Sequence, residues 1–294
     1  MSAFSSSEYN YSGYSRDRPV YNPQLIDFML KYHNEINTNK TDTVVDVATG
    51  TGIVARLLDK SFKRVVATDI SAKMLETAKL VKNDGVNIEY KQATGEDMSF
   101  LPDNSVDMIT VGTGAHWFNS EVFLKEANRV LVENGTLAIF GYSGYQEFVE
   151  YPQCNRIYTE FVEDVVGPYW EKGRHVLNRM YSHYNHLERE AGFKDVFFGI
   201  YPESATVYAG TGYTIMDKPY VIDHKLTWSG LENYFKTWSG VLNYNKAHPG
   251  KKDIAEITAA RLTKAAGVTD RKTAIKLRWG QSVVMCRAVA RLLL

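Results

Sequence analysis

Two carboxylates and a group of small residues carry the strongest chemical signal. Asp46 follows the β-branched pair Val44–Val45 and precedes Ala48, Gly50 and Gly52 in the stretch Thr43–Gly52, TVVDVATGTG. Asp69 ends a second apolar run around Val65 and Val66. A strand that breaks into a glycine turn and enters a helix exposes backbone N–H groups beside the positive end of the helix dipole. A carboxylate or phosphate can sit there. Ile53, Val54, Leu57 and Leu58 supply the helical spacing after the turn. A carboxylate at the end of a buried apolar strand is costly unless it has a partner. The chemistry expected at this turn is therefore ligand binding, by a nucleotide or by an aminoacyl group.

Two ligands compete for the turn. Gly50-Thr-Gly-Ile-Val-Ala55 satisfies the dinucleotide pattern G-x-G-x-x-G/A, with Asp69 near the expected ribose-binding acid. The P-loop pattern fails, because no Gly-Lys-Ser/Thr follows. The other ligand is S-adenosylmethionine. A dinucleotide offers Asp46 no partner, and the Asp46 charge repels a pyrophosphate. An aminoacyl cofactor offers its ammonium to Asp46 and the turn carbonyls, directly or through water, and its carboxylate to the turn N–H groups. Asp46 tips the reading toward S-adenosylmethionine; the competing view has Asp46 merely bracing the turn. Asp69 can accept both ribose hydroxyls, or cap the helix that starts near Ser71. In Thr94-Gly-Glu-Asp97 a backbone N–H at Gly95 or Glu96 can meet an adenine nitrogen, and a side chain can accept from the exocyclic amine. The expected cofactor set is Tyr14, Arg18, Asp46, Ala48, Gly50, Gly52, Asp69, Ile70, Thr94, Gly95, Glu96 and Gly112.

The elements that must hold these residues alternate. Strands are predicted at Thr43–Val47, Arg64–Thr68, Val86–Tyr90, Val106–Val111 and Thr136–Phe140. Helices are predicted over Gln24–Glu35, from Ile53, after a Ser71 cap and after a Ser120 cap. Such alternation implies an α/β, doubly wound, mostly parallel sheet. The pattern breaks at Ser143, where an aromatic, mostly helical stretch begins. Asp195–Tyr201 returns to strand character, and Pro202–Lys225 shows little periodicity. Ser229-Gly-Leu-Glu232 has capping-box spacing and opens a helix carrying Leu231, Tyr234, Phe235, Trp238 and Leu242. A further helix is expected over Asp253–Ala266 and a closing strand over Ile275–Cys286. The expected organisation is a lid arm and helix (1–40), a cofactor-binding core (41–142), a cap insertion (143–190), a core strand (191–202), cap helices (203–272) and a closing core strand (273–294).

Bulk properties narrow the function classes. The 294 residues carry 34 basic and 34 acidic side chains, so charge gives a nucleic-acid partner no support. No apolar run approaches the roughly 20 residues of a membrane span, and residues 1–20 hold no signal-peptide core. Cys154 and Cys286 form neither a disulfide framework nor a zinc pattern, and no metal site is expected. A cytoplasmic setting and a monomer or weak homodimer are expected.

At these residues the chain resembles the class I S-adenosylmethionine-dependent methyltransferases. Asp46-Val-Ala-Thr-Gly-Thr-Gly52 is similar to that family's D-x-G-x-G-x-G motif, with Ala48 replacing the first glycine. Arg18-Pro-Val-Tyr21, Ala115-His-Trp-Phe118, Gly167-Pro-Tyr-Trp-Glu171 with Gly173-Arg174, and Thr237-Trp-Ser239 together resemble the fungal trans-aconitate methyltransferase group. The resemblance implies a Rossmann-like methyltransferase fold, with a seven-stranded sheet and a helical, aromatic-rich cap. It implies transfer of a methyl group to a carboxylate oxygen of a small polycarboxylic acid, giving a monomethyl ester. A related branch acts on a cyclic dicarboxylic toxin, so another small molecule is an alternative acceptor, and an NAD-dependent oxidoreductase is the alternative from another class.

A carboxylate is already ionised at neutral pH and needs no general base. Several carboxylates call for arginine forks. Arg174 is the first candidate, with Arg179 and His175 behind it. His116 can donate to the substrate, or act as a base toward a hydroxyl or thiol. Trp117, Trp170 and Trp238 are the expected walls of the substrate site, and Tyr14, Tyr21 and Arg18 are expected to close over the ligands.

Overall fold

Val44, Val45 and Val47 form the buried strand that their β-branched side chains predict: β1 spans Thr43–Val47, and its last four residues are buried. In this computed structural model the described residues are 19–37, 40–81, 88–187, 192–201, 212–216 and 222–289. Tyr14 and Arg18 lie outside them. The chain divides into two compact units. One is built largely from Tyr21–Tyr142, Val176–Tyr220 and Gln281–Leu294, and the other largely from Ser143–His175 and Val221–Gly280.

The first unit is the sheet with its helices. β1 pairs in parallel with β2 (Arg64–Asp69) and β4 (Val106–Gly112). β2 pairs with β3 (Ile88–Gln92), and β4 with β5 (Leu131–Phe148), also in parallel. β6 (Phe193–Tyr201) runs parallel to β7 (Thr214–Ile215) and antiparallel to β9 (Ala274–Ala288). The strand order is β3-β2-β1-β4-β5-β9-β6-β7. Order reverses between β1 and β4, and ligands of open α/β sheets bind beyond the carboxyl ends of the strands at such a point. The Asp46 turn and the Gly112–Trp117 segment leave the sheet there.

The helices of this unit are α1 (Pro23–Asn34), α2 (Ile53–Leu58), α3 (Ala72–Leu80) and α4 (Ser120–Val130). Ser71 caps α3 as its spacing predicts, accepting from the Met74 N–H. The cap of α4 is Asn119, not Ser120. The Asn119 backbone is extended and its side chain accepts from the Val122 N–H, whereas Ser120 is already helical. α4 buries Phe123, Leu124, Ala127 and Val130, the predicted apolar stripe.

In the second unit α5 (Cys154–Glu160) runs into a π turn, Phe161–Val165, and a 3₁₀ turn, Gly167–Tyr169. α6 (Arg174–Asn178) starts here and ends in the first unit. β8 (Ile222–Thr227) pairs antiparallel with β9. α7 (Trp228–Lys236), α8 (Ser239–Ala247) and α9 (Ile254–Ala266) follow. The single helix expected through Trp238 is therefore two helices. The Thr237 hydroxyl donates back to the Tyr234 carbonyl at 2.6 Å, and Trp238 turns extended at the start of α8. Thr227, not Ser229, caps α7 through the Gly230 N–H.

Nine strands are present among the described residues, two more than the expected seven. The additions are β7 and β8, in the stretch without visible periodicity. β7 has two residues, too few to show a period. In β8 the apolar alternation is interrupted by His224 between Ile222 and Leu226. No helix of the described residues is long and apolar enough to cross a membrane.

One buried acid fixes the start of β1. Asp107, 6% exposed on β4, accepts from the backbone N–H groups of Asp42 and Thr43 at 2.8 and 2.9 Å. Replacing it strands two amides at the entrance to the central strand. Asp107→Ala is expected to lower stability by about 2 kcal/mol, as read from the denaturant midpoint. A midpoint within experimental error of the unsubstituted protein contradicts this role.

Candidate functional site

The carboxyl end of β1 turns sharply because three residues take left-handed backbone: Ala48 (φ 54°), Gly50 (φ 57°) and Gly52 (φ 78°). Glycine adopts that region without strain; at Ala48 the fold bears a cost. Gly52 is also a close-approach site. A Cβ there would lie 2.8 Å from both Arg56 Nη1 and the Tyr90 hydroxyl. Gly114 does the same on the neighbouring loop, where a Cβ would lie 2.6 Å from the Ala48 Cβ. At Gly50, by contrast, a Cβ would meet nothing within 4 Å, so the turn faces open space at that point. The buried Thr51 hydroxyl has no partner in the protein.

Asp46 is 1% exposed. Its two oxygens accept from the Thr49 hydroxyl at 2.6 Å and the Thr110 hydroxyl at 2.8 Å. The fold itself supplies partners for this carboxylate, as the bracing alternative expects. Burial pushes the Asp46 carboxyl up to about 6, although the Thr49, Thr110 and Ala55 hydrogen bonds pull it down. Asp69 accepts from the Gly50 N–H and the Ser71 N–H, both at 2.8 Å, and burial pushes its carboxyl up as well. The Gly52 N–H donates to the Thr49 carbonyl at 2.9 Å, and the Thr49 N–H to Thr68. Three amides of the turn are thus engaged within the protein, not held open for a ligand carboxylate as expected.

The other expected cofactor residues lie in the same unit. Ile70, beside Asp69, is 70% exposed, an apolar surface next to an acid. Gly95 is buried against Phe118, and a Cβ there would lie 3.0 Å from that ring. Glu96 accepts from the Asn119 N–H at 2.8 Å, which ties the Thr94–Asp97 turn to the start of α4. Gly112 ends β4, where a Cβ would meet Val54, Phe140 and Tyr21. Tyr21 is buried and hydrogen-bonded through its hydroxyl to Thr113. His116 sits on a 3₁₀ turn, Ala115–Trp117, with Nδ1 2.9 Å from the Tyr181 hydroxyl. Trp117 is 41% exposed and its ring centroid lies 4.8 Å from that of His116.

Trp170, Arg174 and Trp238 come together in the second unit. The Arg174 guanidinium lies over the Trp170 ring, 4.1 Å from its centroid. It also occupies the space that a side chain at position 144 would need, so a larger residue there would displace the guanidinium. Trp238 is buried between Trp170, Phe161, Tyr158, Tyr234 and Phe235, with ring centroids 4.9–6.3 Å apart through the cluster. His175 and Arg179 are exposed. Sequence reasoning missed Thr49, Thr110, Gly144 and Tyr181. Thr110 carries no local signal, because its partner is 64 residues away.

A raised carboxyl pKa has a definite sign. Between about pH 4 and 6 the folded protein keeps a proton on Asp46 that the unfolded chain has released. That contribution to stability is lost as pH rises through about 6. The expected loss is on the order of 2–3 kcal/mol between pH 4 and 7. Asp46→Asn should remove it from the urea-measured pH profile of the free protein. Identical slopes for both proteins contradict the assignment.

Comparisons with known proteins bear on the domain that carries this turn. A family model described as a methyltransferase domain matches residues 45–139. The chain is similar to CRG1 of Saccharomyces cerevisiae, named a probable S-adenosylmethionine-dependent methyltransferase. Identity is 26%, over 93% of this chain and 94% of that protein. It is 29% identical to a candidate methyltransferase of Dictyostelium discoideum, over 87% of this chain and 84% of that one. A candidate type II methyltransferase from Anaeromyxobacter dehalogenans matches the fold with a TM-score of 0.66 at 19% identity, covering 93% of this chain and 99% of that chain. The methyltransferase-domain match sets the dinucleotide reading aside. Residues 45–139 match a methyltransferase domain, whose cofactor is S-adenosylmethionine.

Proposed function

We propose that the protein methylates a carboxylate oxygen of a small polycarboxylic acid such as trans-aconitate, giving a monomethyl ester. The observation that carries this reading is Arg174. Its guanidinium is stacked on Trp170 and accommodated by the absence of a side chain at Gly144. A planar fork held this way suits a carboxylate, which it can grip through two parallel hydrogen bonds. Trp170, on which it stacks, and Trp238 and Tyr158, which continue that ring cluster, supply apolar walls.

S-adenosylmethionine supplies an electrophilic methyl group on sulfonium. The new bond joins that carbon to a carboxylate oxygen, the carbon–sulfur bond breaks, and the electron pair stays on sulfur. The acceptor is already an anion at neutral pH, so no proton has to be removed. The protein's work is to hold the acid in line and keep water away. On the cofactor side, Ala48, Gly50 and Gly52 shape the turn, Asp69 offers its remaining lone pairs to the ribose, and Ile70, Thr94, Gly95 and Glu96 flank the adenine.

A second reading rests on His116. Its hydrogen bond to Tyr181 orients the imidazole, and an imidazole so held can take a proton from a hydroxyl or thiol acceptor. That reading fits a toxin or secondary metabolite as substrate. The two readings part on His116→Ala. Turnover of a hydroxyl acceptor is lost with it, whereas a carboxylate acceptor keeps most of its kcat.

The test is labelled-methyl transfer to a panel of di- and tricarboxylic acids, with the ester located by mass spectrometry. For the acid that is turned over, Arg174→Gln is expected to raise KM at least tenfold while cofactor affinity stays within twofold. An unchanged KM removes Arg174 from the carboxylate site, and labelling confined to hydroxyl acceptors favours the second reading.

A further inference from the structure

Gln146 lies two residues beyond Gly144 on β5, so the two positions face the same side of the strand. That side is the one on which the Arg174 guanidinium sits, in the space above Gly144. The alternation is regular here: Gly144, Gln146 and Phe148 are buried, and Glu147 is exposed. The backbone at this point is held by Tyr158, whose hydroxyl donates to the Gly144 carbonyl at 2.6 Å and accepts from the Gln146 N–H. The Gln146 side chain is treated differently. It is 5% exposed, and neither its amide oxygen nor its amide nitrogen has a hydrogen-bond partner.

A buried primary amide with both ends unsatisfied is costly, and native proteins rarely keep one without use. An apolar residue of the same size would pack among the neighbouring rings without that cost. Glutamine is uncharged and offers two N–H donors and one acceptor. Beside an arginine it provides a second, directional contact for an anionic ligand without adding charge.

We propose that Gln146 is a specificity-determining residue that donates from Nε2 to a second carboxylate of the acid whose first carboxylate pairs with Arg174. The inference rests on the carboxylic-acid reading above and goes further, because it requires the acceptor to carry at least two carboxylates. A site built to hydrogen-bond a polar group rejects the analogue lacking it, since its own buried group is then left unpaired. Gln146 thereby separates dicarboxylic from monocarboxylic acids of equal length.

The test is calorimetric binding of two acids to the full chain saturated with S-adenosylhomocysteine. The acids are trans-glutaconate and the monocarboxylic trans-2-pentenoate, and the proteins are wild type and Gln146→Met. Wild type is expected to prefer the diacid at least tenfold. Gln146→Met is expected to lose that preference, with the diacid weakened about tenfold and the monoacid unchanged or tighter. Equal weakening of both acids indicates a merely structural residue and overturns the proposal. So does an unchanged preference, or a wild type that binds neither acid. Binding without methylation leaves the Gln146 assignment standing and counts against ester formation instead, so the two failures are distinguishable.

Discussion

The shape of the cofactor turn depends on one buried carboxylate. Asp46 sits at the end of the central strand with almost no solvent contact and is held by the hydroxyls of Thr49 and Thr110. Leaving such a group unpaired would cost several kcal/mol. The two threonines remove that cost and in doing so fix the turn from both sides. Thr49 belongs to the turn; Thr110 belongs to the neighbouring strand β4, whose register with β1 pairs Asp46 with Thr110. The bend through Ala48, Gly50 and Gly52 is thereby tied to the sheet, and Asp69 ties it to β2 through the Gly50 amide.

This changes what Asp46 says about the ligand. In the sequence it pointed to S-adenosylmethionine because a dinucleotide left it without a partner. With two threonine donors and burial, it is a brace that acts through the turn. The cofactor follows from the methyltransferase-domain match over residues 45–139. The conclusion about the cofactor stands while the argument for it moves.

Legibility followed the range of the interactions. The strand–turn–helix at Thr43–Leu58, the alternating core and the Ser71 cap were readable because each depends on residues a few positions apart. The α4 and α7 caps slipped by one or two positions, because Asn119 and Thr227 compete locally with nearby serines and only backbone geometry decides between them. β8 was hidden by His224 on its apolar face. The break at Trp238 was masked because Tyr234, Trp238 and Leu242 keep helical spacing across it. Thr110 and Gly144 were invisible, since their importance lies in a partner 64 residues away and in a guanidinium 30 positions along the chain. Arg174 was singled out by the motif around it, but its seat on Trp170 and over Gly144 had no signal in the sequence.

The central claim is that an interaction remote from any ligand sets the cofactor turn. Thr110 tests it, because its hydroxyl touches Asp46 from the sheet and can be removed without changing side-chain volume. The measurement is calorimetric affinity for S-adenosylmethionine in Thr110→Val, beside a thermal melt showing that the variant is folded. The account predicts a loss of about tenfold, or about 1.4 kcal/mol, in a folded protein. Unchanged affinity would contradict it, leaving Asp46 a structural acid with no hold on the site.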